Sequence, residues 1–146
     1  MEQRVNFYTA SKEAMEAMLS LEKAVSQLGL EPQLLELVKL RASQINGCAF
    51  CVDLHTREAR QGGESERRLY AVSVWRETPF FTERERAALN WTEVITLVAE
   101  TRAPDADYEL LAAHFNKKEM TDLTMAIVTI NAWNRLAVGF RKMPTL

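Results

Sequence analysis

Two cysteines and a histidine stand close together in the stretch NGCAFCVDLH, residues 46 to 55. Cys48 and Cys51 are the only cysteines of the chain, and His55 is one of its two histidines. On a helix of 3.6 residues per turn, Cys51 and His55 fall about 300° and 340° round the axis from Cys48, a sector of about 60°. Cys48 with Cys51, and Cys51 with His55, are then neighbours one turn apart. Gly47 marks the predicted start of that helix. Unpaired N–H groups and the positive dipole end favour a thiolate there. An imidazole can carry the proton that a thiol gives up near neutral pH. Thiolate, partner thiol and proton carrier on one face are what a peroxide-reducing dithiol requires.

Two other readings of the trio stay open at this stage. A buried free cysteine behaves as a small apolar residue, so the pair could simply fill a core. The spacing also suits a zinc half-site, which would make the chain a non-catalytic zinc- or redox-sensing helical module. A structural zinc takes four ligands, and Cys48, Cys51 and His55 supply at most three. The chain holds no second CxxC and no HxxxH to complete the set, and His114 stands alone on an amphipathic segment.

The elements that must position these residues read as helices almost throughout. Five glycines and four prolines in 146 residues leave few breaks, and period-two apolar patterns are missing. A first helix is predicted over about residues 9 to 28, ended by Gly29. Pro32 then sits at the first helical position of PQLLELVKLRASQI, where its missing N–H costs nothing. Leu34, Leu35, Val38, Ala42 and Ile45 form the main stripe of that helix, and Leu37 and Leu40 widen it, which predicts a central element. The cysteine helix follows Gly47 and stops at Gly62-Gly63. SERRLYAVSVW gives a short helix, and Thr82 with Glu85 forms a capping box ahead of ERERAALNWTEVITLVAET. DADYELLAAHF and TDLTMAIVTINAWNRLAVGF complete a single all-α domain, residues 1–146, of about seven helices.

Composition narrows the function. A hydrophobic content of 47% with mixed charges fits a folded globule, and a net charge of -2 gives no footprint for nucleic acid. The longest strongly apolar runs, MAIVTI and LLELV, are far shorter than the ~20 residues of a membrane span. The opening MEQRVNFYTASKEAM lacks the apolar core of a signal peptide. These features predict a cytoplasmic protein, where a close cysteine pair is more often catalytic or metal-binding than a structural staple.

The segment ELVKLRASQINGCAFCVDLHTREARQGG, residues 36 to 63, resembles the core motif of the AhpD-like alkylhydroperoxidases in the carboxymuconolactone decarboxylase superfamily. That motif is a glutamate, eleven residues, CxxC, three residues and a histidine, which fall here on Glu36, Cys48, Cys51 and His55. RLYAVSVWRET, FFTERERAALNWTE and INAWNRLAVGF are similar to the single-core members. The resemblance implies a dithiol/disulfide peroxidase without cofactor or metal. Glu36 would start a proton relay through His55, Cys51 would attack the peroxide, and Cys48 would resolve the product as a disulfide. It also implies a hydroperoxide substrate, a dihydrolipoyl or thioredoxin-like external reductant, and a homo-oligomer, trimeric or hexameric. A carboxymuconolactone decarboxylase-like activity is the alternative on the same fold, although decarboxylation has no need of a CxxC pair.

Residues alone read Glu36 as an exposed i,i+3 partner of Lys39. Its place beside Leu40 and Ser43 suggests instead a carboxyl raised by apolar surroundings, able to act as a base. The helix start favours a thiolate at Cys48, whereas the His55 spacing and the resemblance favour Cys51. Asn131 and Asn134 are expected to hydrogen-bond neighbouring loops or a subunit contact rather than to serve as pocket groups, and Trp75, Trp91 and Trp133 to anchor the core or an interface. Asp53 and Arg57 form an i,i+4 pair on the solvated back of the active helix.

Overall fold

The computed structural model describes residues 1–145; Leu146, the last residue of the expected domain, lies outside them. Among the described residues the chain is all-α, with no strand. The helices are α1 (Phe7–Ala10), α2 (Lys12–Ser26), α3 (Pro32–Ile45), α4 (Ala49–Gln61), α5 (Glu66–Ala71), α6 (Glu83–Thr96), α7 (Val98–Thr101), α8 (Asp105–Ala112) and α9 (Lys117–Phe140), with a 3-10 segment at Val72–Glu77.

Among the described residues nine helices replace the expected seven or so, because two long predicted helices are cut. The first breaks at Ser11, whose backbone leaves the helical region (φ -143°, ψ 84°). The break lets α1 fold back so that buried Phe7 meets Phe140, ring centroids 6.1 Å apart. Arg4 N–H adds a bond to the Phe140 carbonyl (3.0 Å). This is a tertiary contact between the two ends of the chain, and no local pattern announces it. The second cut falls at Leu97, which separates α6 from the single turn of α7. The predicted SERRLYAVSVW helix also tightens into the 3-10 segment after Ala71.

α3 is the central element that its broad apolar surface predicts. Leu34, Leu35 and Val38 face Ala88, Trp91, Leu123 and Ile127 of α6 and α9. Leu37 and Leu40 face Leu69, Val72 and Leu89 on another side. Ala42 faces Cys48, Cys51, Ile130 and Ala137. Each fully buried leucine contributes about 1.5–3 kcal/mol, so three packed faces hold α3 against rotation. Pro32 begins the helix as expected. The Thr82–Glu85 capping box forms at the start of α6, and Asn116 with Glu119 forms another at the start of α9.

The α3–α4 joint is tight. Gly47 takes a left-handed backbone (φ 65°) that a side chain would strain. Asn46 donates both amide hydrogens into α9, to Oδ1 of Asn131 and of Asn134, each at 2.9 Å. Asn134, fully buried, donates in turn to Ser43 Oγ (3.0 Å). Asn131 donates to Thr96 Oγ1 and to the Ile127 carbonyl. The two asparagines therefore bond to neighbouring segments, as expected from their types, and they fix the joint between the helices that carry Glu36 and His55.

Asn134→Ala would leave the Asn46 amide and the Ser43 hydroxyl each short of a partner in a buried place. The expected loss of unfolding free energy is about 2–3 kcal/mol, read from urea denaturation at neutral pH. A loss below about 0.5 kcal/mol would show that the network does not hold the joint.

Candidate active site

Cys48 is not on α4 but caps it. Its backbone is extended (φ -86°, ψ 93°), and its sulfur accepts the Cys51 N–H at 3.3 Å. This corrects the expectation of three residues on one helical face: only Cys51 and His55 share α4. The helix-start chemistry is sharpened by the change, because the Cys48 sulfur itself takes up an unpaired amide of the first turn. Cys48 and Cys51 are joined in a disulfide with Cα atoms 5.4 Å apart, and both are buried.

One turn on, His55 is also buried, and its Nδ1 lies 2.9 Å from Glu36 Oε2 of α3. With Nδ1–H donating to the carboxylate, Nε2 remains as the acceptor of the neutral ring. Glu58, three residues further along α4, places Oε2 3.4 Å from the same Nδ1. Lys39 lies 3.6 Å from Glu36 and 2.7 Å from Glu22 of α2, whose other oxygen accepts the Trp133 indole N–H at 3.1 Å. A chain of side chains thus runs from α9 through α2 and α3 to α4, with the imidazole near its end.

Lys39 is buried, so the surface ion pair suggested by spacing alone is a partly desolvated one. The carboxyl also titrates opposite to the expectation. Burial by itself would push Glu36 up, but the His55 hydrogen bond and the charges of His55 and Lys39 outweigh it and hold Glu36 below the ordinary glutamate range. Lys39 shows the same balance. Burial alone would lower it, while the hydrogen bond to Glu22 and the charges of Glu22, Glu36 and Glu58 raise it above the ordinary lysine value. Glu36 is therefore a carboxylate kept ionised. Such a group orients an imidazole and stabilises its protonated form without taking the proton itself.

Cys51 and His55 open on a cavity of about 200 Å³, walled mainly by Phe7, Tyr8, Phe50, Leu54, Ile130 and Trp133. Cys48 and Glu36 do not line it. Glu36 and Lys39 line a second cleft, towards Pro32 and Gly62. Glu58 borders both spaces. Glu22, Glu58, Trp133 and the cavity-lining Lys142 were not singled out as site residues from sequence. Glu58 had a signal, its i,i+3 spacing from His55. Glu22, Trp133 and Lys142 had none, because they reach the site from distant parts of the chain.

A metal finds a poor seat here. Glu36, His55 and Glu58 bring one donor atom each within 4.8 Å of one another. The Lys39 ammonium already supplies the positive charge beside Glu36, and the three donors fall one short of the four that a structural zinc takes.

An all-α fold with a CxxC disulfide beside a buried imidazole–carboxylate pair defines the class as AhpD-like. The carboxymuconolactone decarboxylase family pattern matches residues 12–94, and the chain belongs to this family. A crystal structure from Agrobacterium tumefaciens, of a protein of unknown function ascribed to antioxidant defence under the name AhpD, is 50% identical. It superposes with a TM-score of 0.97, covering 99% of each chain. YdfG of Bacillus subtilis (strain 168), an uncharacterized protein, is 41% identical over 139 residues, 95% of each chain. An alkylhydroperoxidase AhpD core from Ralstonia eutropha shares the fold at 21% identity, with a TM-score of 0.83 over 94% of this chain and 74% of that one. No helix among the described residues is long and apolar enough to cross a membrane.

The position of Glu36 has a pH signature. A carboxyl held lower in the folded state than in the unfolded chain adds stability that is present above the ordinary glutamate range. That stability is lost as pH falls through the folded value. Wild type should therefore exceed Glu36→Gln in stability at pH 7 by more than at about pH 3, measured by urea denaturation at both. A gap that does not shrink on acidification would contradict the ionised, hydrogen-bonded carboxylate.

Proposed function

We propose that the chain is a thiol-dependent peroxidase that reduces hydroperoxides through a Cys48–Cys51 dithiol/disulfide cycle. The observation that carries this reading is the shared cavity of Cys51 and His55, with the far nitrogen of the ring held by Glu36 at 2.9 Å. In the reduced enzyme, His55 Nε2 takes the Cys51 thiol proton. The thiolate attacks the outer oxygen of ROOH, the O–O bond breaks, and Cys51 becomes a sulfenic acid while RO⁻ leaves. The proton on His55 returns to RO⁻ and gives ROH. Glu36 touches neither peroxide nor sulfur; it is a positioning residue that fixes the tautomer of His55 and stabilises its protonated form.

Cys48 thiol then attacks the Cys51 sulfur, water leaves, and the disulfide forms. Two thiols of an external dithiol, dihydrolipoyl or thioredoxin-like, reduce it by exchange and are themselves oxidised to a disulfide. Of the two cysteines Cys51 lines the cavity, so exchange begins there. Cys48 is the leaving thiolate, and the amide at the start of α4 that already bonds its sulfur supports the charge. The helix start and the histidine thus serve different sulfurs, and the two signals do not compete. Placement in the cytoplasm suits such a cycle, since reductants are abundant there. Assembly as a homo-oligomer, a trimer or hexamer, is part of the same reading.

Turnover of an organic hydroperoxide with a dithiol donor tests it. Cys51→Ser is expected to abolish turnover. Cys48→Ser should reduce one equivalent and accumulate sulfenic acid that dimedone traps at Cys51. Glu36→Gln should lower kcat by about 10- to 100-fold, the size of effect expected when the group that orients a functional imidazole is lost. Unchanged turnover in Cys51→Ser would refute the cycle. Trapping at Cys48 in Cys51→Ser would exchange the roles of the two sulfurs.

A further inference from the structure

The site cavity is apolar on most of its wall yet contains one ammonium group, that of Lys142. The Nζ lies 4.2 Å from the ring centroid of Tyr8, 4.3 Å from that of Phe50 and 5.6 Å from that of Phe7. Ring faces attract a cation but do not neutralise it. Among the described residues the Nζ makes no ion pair; the charged pairs of the site involve other groups.

The two acids on the same wall do not serve Lys142. Both oxygens of Glu22 are taken, by Lys39 and by the Trp133 indole. Glu58 Oε2 lies against His55. Lys142 is held in place by the end of α9. Arg141 adopts a left-handed backbone (φ 54°), and Lys142 N–H bonds back to the Ala137 carbonyl at 2.8 Å, which turns the chain over the cavity. Phe50, one of the three rings, is the residue just before Cys51. The cation therefore sits beside the redox pair, half-buried and with no ion-pair partner among the described residues, where an incoming anion is favourable.

We propose that Lys142 is an anion subsite of this cavity, selecting hydroperoxides that carry a carboxylate or a similar single negative charge on a compact apolar body. The inference rests on the peroxidase reading for the word hydroperoxide, and on the cage alone for the anion. A volume of about 200 Å³ limits the enclosed part of such a molecule to little more than one aromatic ring with its substituents.

The test compares cumene hydroperoxide with its para-carboxylate, which differ by one charge on the same body. In wild type kcat/KM should favour the carboxylate by about 10- to 100-fold, as for a charge-assisted hydrogen bond. Lys142→Met, which keeps the stem, should bring the ratio to about one, and Lys142→Arg should retain most of the preference. A ratio unmoved by Lys142→Met overturns the subsite. So does an equal loss for both substrates, which would mark Lys142 as a general electrostatic support for the thiolate.

A second measurement separates this from the peroxidase reading. Para-isopropylbenzoate has the anion but no peroxide, and its binding to the disulfide form can be followed by tryptophan fluorescence. Lys142→Met should weaken its binding by the same factor. If wild type reduces neither hydroperoxide, the peroxidase reading fails, and this titration still decides the subsite: equal affinity in wild type and Lys142→Met overturns it.

Discussion

The 2.9 Å hydrogen bond between Glu36 and His55 ties α3 to α4 at the point where the chemistry sits, and the order of the site depends on it. It forms inside a row of charged groups that begins at the Trp133 indole and passes through Glu22, Lys39 and Glu36. Such a row adds little stability, because removing charges from water costs about what their attraction returns. What it fixes is direction. A carboxylate kept ionised by its neighbours holds Nδ1 of the imidazole ring and leaves the other nitrogen for the cavity. Apolar residues of the same volume could pack α3 against α4 equally well, but they could not choose a tautomer.

That constraint explains why the helix joint is so heavily bonded. Glu36 and His55 are nineteen residues apart on two helices, so a small change at their crossing moves both partners. The left-handed Gly47 sets the turn, and Asn46, Asn131, Asn134 and Ser43 tie it to α9 with no buried side-chain polar atom left unpaired. Core packing on three sides of α3 removes the remaining freedom. The same joint puts Cys48 ahead of the helix rather than within it, so that its sulfur meets the amide of Cys51. One turn of chain thereby gives the helix-start amide to the Cys48 sulfur and leaves Cys51, one turn from His55, as the cysteine that lines the cavity.

Much of this was legible in the residues. The apolar girdle of α3, Pro32, the Thr82–Glu85 box and the stop at Gly62-Gly63 are local signals, and the elements follow them. Cys51 with His55 was legible because one turn of helix brings them to one side. Glu36 was not, since an i,i+3 lysine gives the same pattern on any solvated helix; the motif resemblance singled it out. The direction of its titration was misread because burial was visible in the apolar flank, whereas the His55 and Lys39 contacts that together outweigh it needed the fold. The breaks at Ser11 and Leu97 were hidden for a related reason. Helical propensity runs through both, and in the first case contact between the chain's ends, Phe7 with Phe140, favours the break.

The division between heavily and lightly packed parts of the site follows from the same physics. The proposed proton transfer demands fixed geometry, and the groups assigned to it stand on long helices packed on several sides. The walls that meet a substrate come partly from elements with far fewer buried contacts. α1 is a single turn, with Tyr8 more than a third exposed, and Lys142 follows the last turn of α9. Local opening costs least in such segments. Substitutions at Tyr8 or Lys142 reshape what enters without disturbing the Glu36–His55 bond. Substitutions at Asn46 or Asn134 disturb the bond without touching the walls. Under the proposed cycle, selectivity and reactivity are therefore separable, because different covalent neighbourhoods supply them.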